Sequence, residues 1–328
     1  MDNGTKLRIL YLYRHLVRNT DPEHTLSTAQ LMKVLKEEYH LTVSRNTISD
    51  DLVMLHDCGL KIDHYPSTQN KYYYSGQLFQ VPELKMLIDA VSASKFITER
   101  QSDELIAKLL TLTSADNALK LRRHIYPAGR IKPDNECNYA IVDAMNTAID
   151  LKKKVSFLYT DFDINRNRYI SNEGNRYTFS PYTLTWDGDY YYVRGWCDER
   201  DHMRTFRLDR IAETPVMLDD IAVMPPEGYS PVEYSKAVFR MLDTDEPEQV
   251  DLYCHRSVMK YIIDNFGDQL DTEPIDEDYF TARIRVCTSE TFYRWVFGFG
   301  DKIRLLAPDN VIDEYKRQLK EILDSYRE

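Results

Sequence analysis

Apolar residues recur at helical spacing through the first sixty positions. Ile9, Leu12, Tyr13 and Leu16 fall at i, i+3, i+4 and i+7, one face of a helix over 5–18. The turn TDPEHTL follows. Ser27 then stands three residues before Gln30, the spacing of a capping box, ahead of an apolar face of Leu31, Val34 and Leu35. Ser44 is positioned to cap a third helix, with Ile48, Leu52 and Leu55 inward and Gly59 placed to stop it. The period then changes. KIDHYPSTQNKYYYSG reads as two short strands around a polar turn tipped by Gln69, Asn70 and Lys71. Three compact helices and a hairpin outline a winged helix-turn-helix over 1–76.

Helical periodicity returns over 82–123, in VPELKMLIDAVSASKF, in SDELIAKLLTLT with Ser102 as the expected N-cap, and in ADNALKLRRH. These predict a helical bridge over 77–136, ending in the polar break PDNECN. A helix over about 139–151 leads into KVSFLYTDF, NRYTFSPYTLTW, YYYVRGW, HMRTFRLDRI and PVMLDD, short strands separated by polar turns. They predict a small Sm/SH3-like β-barrel over 137–218. Residues 219–249, with PPEGYSP, read as a linker. From 250 to 328 the order is βαββαβ with a final helix from about Asp309, which predicts a ferredoxin-like domain with Trp295, Phe297 and Phe299 in its core. The fold class is therefore α+β and multidomain.

Composition fits that division, because 328 residues exceed one ordinary domain. With 11 glycines, a glycine-rich phosphate loop is not expected. No apolar run approaches the ~18 residues of a membrane span, and MDNGTKLRIL has no signal-peptide core. A cytoplasmic chain with no membrane partner is the expectation. The five cysteines are widely spaced with no CxxC pair, which suits reduced thiols and argues against zinc. The eight histidines show no HxH or HxxxH spacing, and there is no GxSxG elbow. Neither an enzyme, nor catalytic residues, nor a cofactor is expected.

Charge sharpens the picture. The net charge of −11 is unevenly spread: residues 1–76 carry 9 basic and 9 acidic side chains, residues 151–210 carry 11 and 9, and residues 211–328 carry 13 and 25. An acidic total does not exclude nucleic acid, because the local patch decides. In the third helix the polar N-terminal face offers Ser44, Arg45, Asn46, Thr47, Ser49 and Asp50. Asn reads adenine, Arg reads guanine, and Ser and Thr hold phosphates. Lys71 would lie against the backbone. The competing reading is a protein-binding helical module, since this segment is electrically neutral and DNA affinity leans on phosphate neutralisation.

The barrel segment DYYYVRGWCDERDHMRTFRLDR sets tyrosines beside arginines in the one net-positive region. Aromatic rings stack on bases and guanidinium forks hold phosphates. Tyr190, Tyr191, Arg204, Arg207 and Arg210, with Arg176 ahead of the Pro181 strand, are thus candidates for an anionic, ring-bearing ligand. Strand alternation places Tyr190 and Tyr192 on one face and Tyr191 and Val193 on the other. It places Arg204, Phe206 and Leu208 together, opposite Thr205, Arg207 and Asp209. The three arginines cannot all point one way, although a bulge or strand end near Leu208–Arg210 would bring two together. Core-filling tyrosines and an Asp209 ion pair are the bland alternative. The Lys152–Lys154 run reads as a solvated helix end.

Taken together, these segments resemble the WYL-domain transcription regulators of bacteria, over essentially the whole chain. SRNTISDDLVMLHDCGL is similar to their recognition helix. SPYTLTWDGDYYYVRGWCDERDHMRTFRLDRI resembles their barrel, with Arg204 to Ile211 the most specific part, and WVFGFGDKIRLLAP resembles their C-terminal extension. Two departures stand out: Tyr190-Tyr191-Tyr192 replaces Trp-Tyr-Leu, and Ser49-Asp50 replaces basic residues. A single head reads too few base pairs for a useful specificity ratio, so binding of duplex DNA as a homodimer is expected, and the resemblance implies a repressor or activator. It also implies a barrel that senses a nucleotide or single-stranded nucleic-acid effector. A second class of function is an accessory protein that senses nucleic acid and acts on a protein partner; only the regulator requires Arg45 and Asn46.

Overall fold

The computed structural model describes residues 3–66, 68, 70–123, 132–230 and 247–327; Gln69 and most of the expected linker lie outside them. The chain divides into two compact units, Met1–Glu136 and Cys137–Glu328.

The first unit opens with α1 (Asn3–Asn19), α2 (Thr28–Tyr39) and α3 (Arg45–Asp57). Strands β2 (Ile62–Tyr65) and β3 (Lys71–Tyr74) form a hairpin, and β1 (Leu26–Ser27) adds to it in the order β1-β3-β2. Ser27 and Gln30 cap α2 reciprocally. Leu12, Leu16, Leu31, Leu35, Ile48, Leu52, Leu55 and Ile62 form one buried cluster, so the apolar stripes of all three helices meet. Gly59, with φ 84°, takes the left-handed conformation just past α3. An ion pair pins α3 to α1: Arg8 donates to both carboxylate oxygens of Asp51, at 2.6 and 2.9 Å, and Asp51 is only 3% exposed.

Helices α4 (Val81–Ala93), α5 (Glu99–Leu110) and α6 (Ala115–Arg123) follow, around Leu84, Ile88, Ile106, Leu110 and Leu121. The N-cap of α5 is Thr98, not Ser102. Thr98 and Gln101 complete a capping box, and Ser102, already inside the first turn, donates its hydroxyl to the Thr98 carbonyl at 2.8 Å. An earlier TxxQ spacing took the start from a later serine. The turn after α1 is tied to α6 through buried Asp21, which accepts hydrogen bonds from the Ser114 hydroxyl and from Asn117.

The second unit begins with α7 (Asn138–Leu151) and a five-stranded sheet of order β10-β4-β7-β8-β9. Its strands are β4 (Lys153–Phe157), β7 (Tyr177–Asp187), β8 (Tyr190–Cys197), β9 (His202–Arg207) and β10 (Val216–Ile221), and β5 (Thr160–Phe162) and β6 (Arg168–Ile170) make a separate hairpin. The sheet curls closed. Tyr159 bridges to Ile211, and the Ala212 N–H donates to the Leu158 carbonyl at 2.9 Å. Gly195 permits the curl, since a Cβ there would stand 2.1 Å from the Ser180 carbonyl oxygen. Phe157, Phe179 and Phe206 meet edge to face inside. The Lys152–Lys154 run is not a solvated helix end: Lys153 and Lys154 belong to β4, and Lys154 pairs with Asp198 at 2.5 Å. Lys152, left-handed at φ 51°, ends α7 first.

The C-terminal sheet joins β11 (Glu248–His255), β12 (Asp271–Pro274), β13 (Tyr279–Val286) and β14 (Ile303–Ala307) in the order β12-β13-β11-β14. Helices Met259–Phe266, Glu290–Phe297 and Asp309–Ser325 contribute Ile262, Phe292, Val296 and Val311 to its core. Trp295 and Phe299 pack against that core, but Phe297 is 52% exposed. Val296 takes the inward position of that helix, and its neighbour 100° further round faces water. No described helix is long and apolar enough to cross a membrane.

Candidate nucleic-acid and ligand sites

At the head, the start of α3 organises its own polar residues. The Ser44 hydroxyl accepts from the Thr47 N–H at 3.2 Å and lies 2.8 Å from the Thr47 hydroxyl. The Ser49 hydroxyl donates back to the Arg45 carbonyl at 3.2 Å. Arg45 and Asn46 are exposed. Lys71, also exposed, opens β3 opposite Ser27 and Tyr65, and on the same hairpin Tyr65 and Tyr73 stack at 5.0 Å.

At the barrel, β9 pairs with β8 so that Arg207 faces Tyr192 and Arg204 faces Gly195. The strand stops at Arg207, and Leu208–Arg210 turn into a short 3-10 helix. Arg207 leans along its face onto Tyr190, its guanidinium carbon 3.5 Å from the ring centroid. Its fork meets Asp209, Nε at 3.1 Å and Nη2 at 2.7 Å. Burial works against the guanidinium charge, but Asp209 outweighs it, so Arg207 holds its proton more tightly than usual. The Arg207 N–H donates to the Tyr159 hydroxyl at 3.2 Å. Burial pushes that hydroxyl up to about 12, against the pull of nearby Arg210 and Arg207. Tyr192 is likewise raised by burial. Arg210 lies 3.8 Å from Asp161, and its carbonyl accepts from the Thr160 hydroxyl at 2.8 Å.

Of the six candidate residues, the turn gathers Tyr190, Arg207 and Arg210. Arg204 takes the other face of β9 and lies over Phe206 at 5.2 Å. Tyr191 shares the face of Val193 and meets Trp186 edge-on at 4.8 Å. Arg176 staples the barrel wall, donating to the Ser156 hydroxyl and carbonyl, both at 3.0 Å, and pairing with Glu213. Tyr159 and Asp161 are members of the site that sequence reasoning missed. Their only local signal was their place within the predicted strand KVSFLYTDF.

The WYL domain model matches residues 140–216 and the WCX domain model residues 246–323. The chain thus carries a WYL domain over its barrel segment. It carries a WCX domain after the barrel, and Tyr190, Arg207, Asp209 and Arg210 all lie within the WYL match. No curated protein matches it. Among solved structures, the chain is similar to proteasome accessory factor B/C (PafBC) of Arthrobacter aurescens, at 18% identity and a TM-score of 0.29, over 97% of this chain and 46% of that one. It thus spans about half the length of that protein. It is also similar to a CRISPR Cas-related protein, at 14% identity and a TM-score of 0.38, over 100% of this chain and 92% of the other. Both overlays are loose, and the likeness rests on the two domain matches.

Proposed function

We propose that this chain is a transcription regulator, a binding protein and not an enzyme. In this reading it holds duplex DNA as a homodimer through the polar face of α3. An anionic, ring-bearing ligand at the barrel, a nucleotide or a single-stranded nucleic acid, controls it. The observation that carries the reading is Arg207 laid flat over Tyr190 at 3.5 Å, with Arg210 on the turn that follows. A ring backed by a guanidinium is a shelf for a base, and guanidinium forks hold phosphates. A ligand phosphate would compete with Asp209 for the Arg207 fork, which couples occupancy to the turn itself. The WYL and WCX domain matches support the same reading. One head reads too few base pairs for a useful specificity ratio, which favours two. The ligand controls DNA binding only through unequal affinity for two states of the protein.

The test is anisotropy on a labelled fragment of the protein's own promoter, titrated with nucleotides and short single strands. One ligand should change promoter affinity about tenfold or more, a difference of ~1.4 kcal/mol. Arg207→Ala should abolish that response and leave unliganded promoter binding in place. Ligand binding with no promoter binding would instead mark an accessory protein that acts on a protein partner.

A further inference from the structure

The β5–β6 hairpin carries apolar surface that its own fold does not use. Its turn is closed by polar groups: the Asp163 carboxylate accepts from the backbone N–H groups of Asn165 and Asn167 at 2.9 and 2.7 Å, and the Asp163 N–H donates to the Asn167 carbonyl at 3.0 Å. Those bonds hold the Asp163 carboxyl below the usual carboxylate range and define the loop without a core. Yet Phe162 is 50% exposed and Ile164, inside the turn, is 99% exposed. Tyr169, paired with Asp161 and so on the other face of the hairpin, is 49% exposed. Hairpin tips in water are normally polar, so an exposed ring and an exposed isoleucine at this tip stand out as a candidate contact surface.

The chemistry repeats that of the barrel shelf. The Arg168 guanidinium stands 5.4 Å from the centre of the Phe162 ring, opposite it in register. The root of the hairpin is part of the barrel site, through Thr160 to the Arg210 carbonyl and Asp161 to the Arg210 side chain. Phe162 lies two residues beyond Thr160, about 7 Å along a strand. Asp163 is engaged in the turn and Asp161 with Arg210, and Arg166 and Arg168 are exposed on the outer part of the hairpin.

We propose that this hairpin is a second nucleobase-stacking contact, which extends the barrel site from one nucleotide to a single strand of several. The proposal rests on the ligand reading above. A ring with a guanidinium beside it takes bases whose faces are open, as in a single strand and not in a duplex. Arg210, shared by shelf and hairpin root, sits where the backbone of such a strand would pass.

The test compares the full-length protein with Phe162→Ala/Arg168→Ala and with Arg207→Ala. Anisotropy is read on a labelled mononucleotide and on labelled single strands of about 4 to 16 nucleotides, the range of site sizes for small OB-fold barrels. The hairpin variant should bind the strands about tenfold to a hundredfold more weakly and the mononucleotide as wild type does. Phe162→Trp should restore strand binding, and the thermal midpoint should not move. Arg207→Ala should weaken every probe. A hairpin variant equal to wild type at every length overturns the proposal and leaves the shelf standing. Wild type that binds none of the probes overturns both. A change of mass in light scattering for Phe162→Ala/Ile164→Ala, with strand binding intact, assigns the hairpin to protein contact and also overturns it.

Discussion

The two sites are built in opposite ways. On α3, Arg45 and Asn46 stand in solvent, while the helix is held from its other side by Ile48, Leu52, Leu55 and the Arg8–Asp51 pair. In the barrel, Arg207 is half-buried, laid on Tyr190, clamped by Asp209, and bonded through its own N–H to Tyr159. In the proposed reading, recognition at the head is thus separable from folding, whereas at the barrel the same bonds serve both. A head of this kind changes what it reads by changing two exposed side chains. A barrel of this kind cannot change its ligand without rebuilding part of its wall.

The largest expected effect tests the separable half. Arg45→Ala with Asn46→Ala removes the two proposed base contacts, of about 1–3 kcal/mol each, so promoter affinity in a mobility shift should fall at least thirtyfold or so. Calorimetry should show an unchanged melting midpoint, and a parallel drop would break the comparison. Arg8→Ala tests what lies behind that face. It leaves the Asp51 carboxylate buried and unpaired, which should cost about 3 kcal/mol in urea unfolding of the first unit and weaken promoter binding only as the fold is lost.

Arg207→Ala addresses the integrated half. It should destabilise the second unit by about 2 kcal/mol as well as abolish ligand binding, because Asp209 loses both hydrogen bonds and Tyr190 its cation. Arg207→Lys should recover part of the stability and little of the binding, since an ammonium lacks the planar fork. Binding lost with no loss of stability would make the barrel site separable after all.

The smallest effect is that of pH. Folded Tyr159 keeps its proton up to about 12, while an unfolded tyrosine releases its own near pH 10. Above pH 10 the unfolded chain therefore holds fewer protons than the folded one, and stability falls until the folded hydroxyl ionises in turn. Between pH 7 and 9 the change from Tyr159 should stay below about 0.1 kcal/mol. In urea titrations of the second unit Tyr159→Phe should match wild type there and lose this contribution to the alkaline limb.

Much of this was open to reading from residues alone. The caps of α2 and α3, the inward faces of Leu12, Leu16, Ile48 and Leu52, and the βαββαβ order were all visible, because each depends on residues within a few positions of one another. The errors were of the same local kind, as when Thr98 preceded Ser102 or Lys152 ended its helix before the lysine run did. In each case two nearby signals competed, and packing chose between them.

By itself the sequence determined the elements, their order, and which residue types could meet a base or a phosphate. Tertiary structure alone decided which of those residues meet each other. Alternation already excluded three arginines on one face, but the end of β9 at Arg207 and the turn to Arg210 selected two of them. Barrel closure then brought in Tyr159, 48 residues from Arg207, and Thr160, 50 residues from Arg210. The physical reason is range. Caps and periodicity act over one turn of helix or one strand, while closure depends on the twist of a whole sheet and on a close approach that only Gly195 allows.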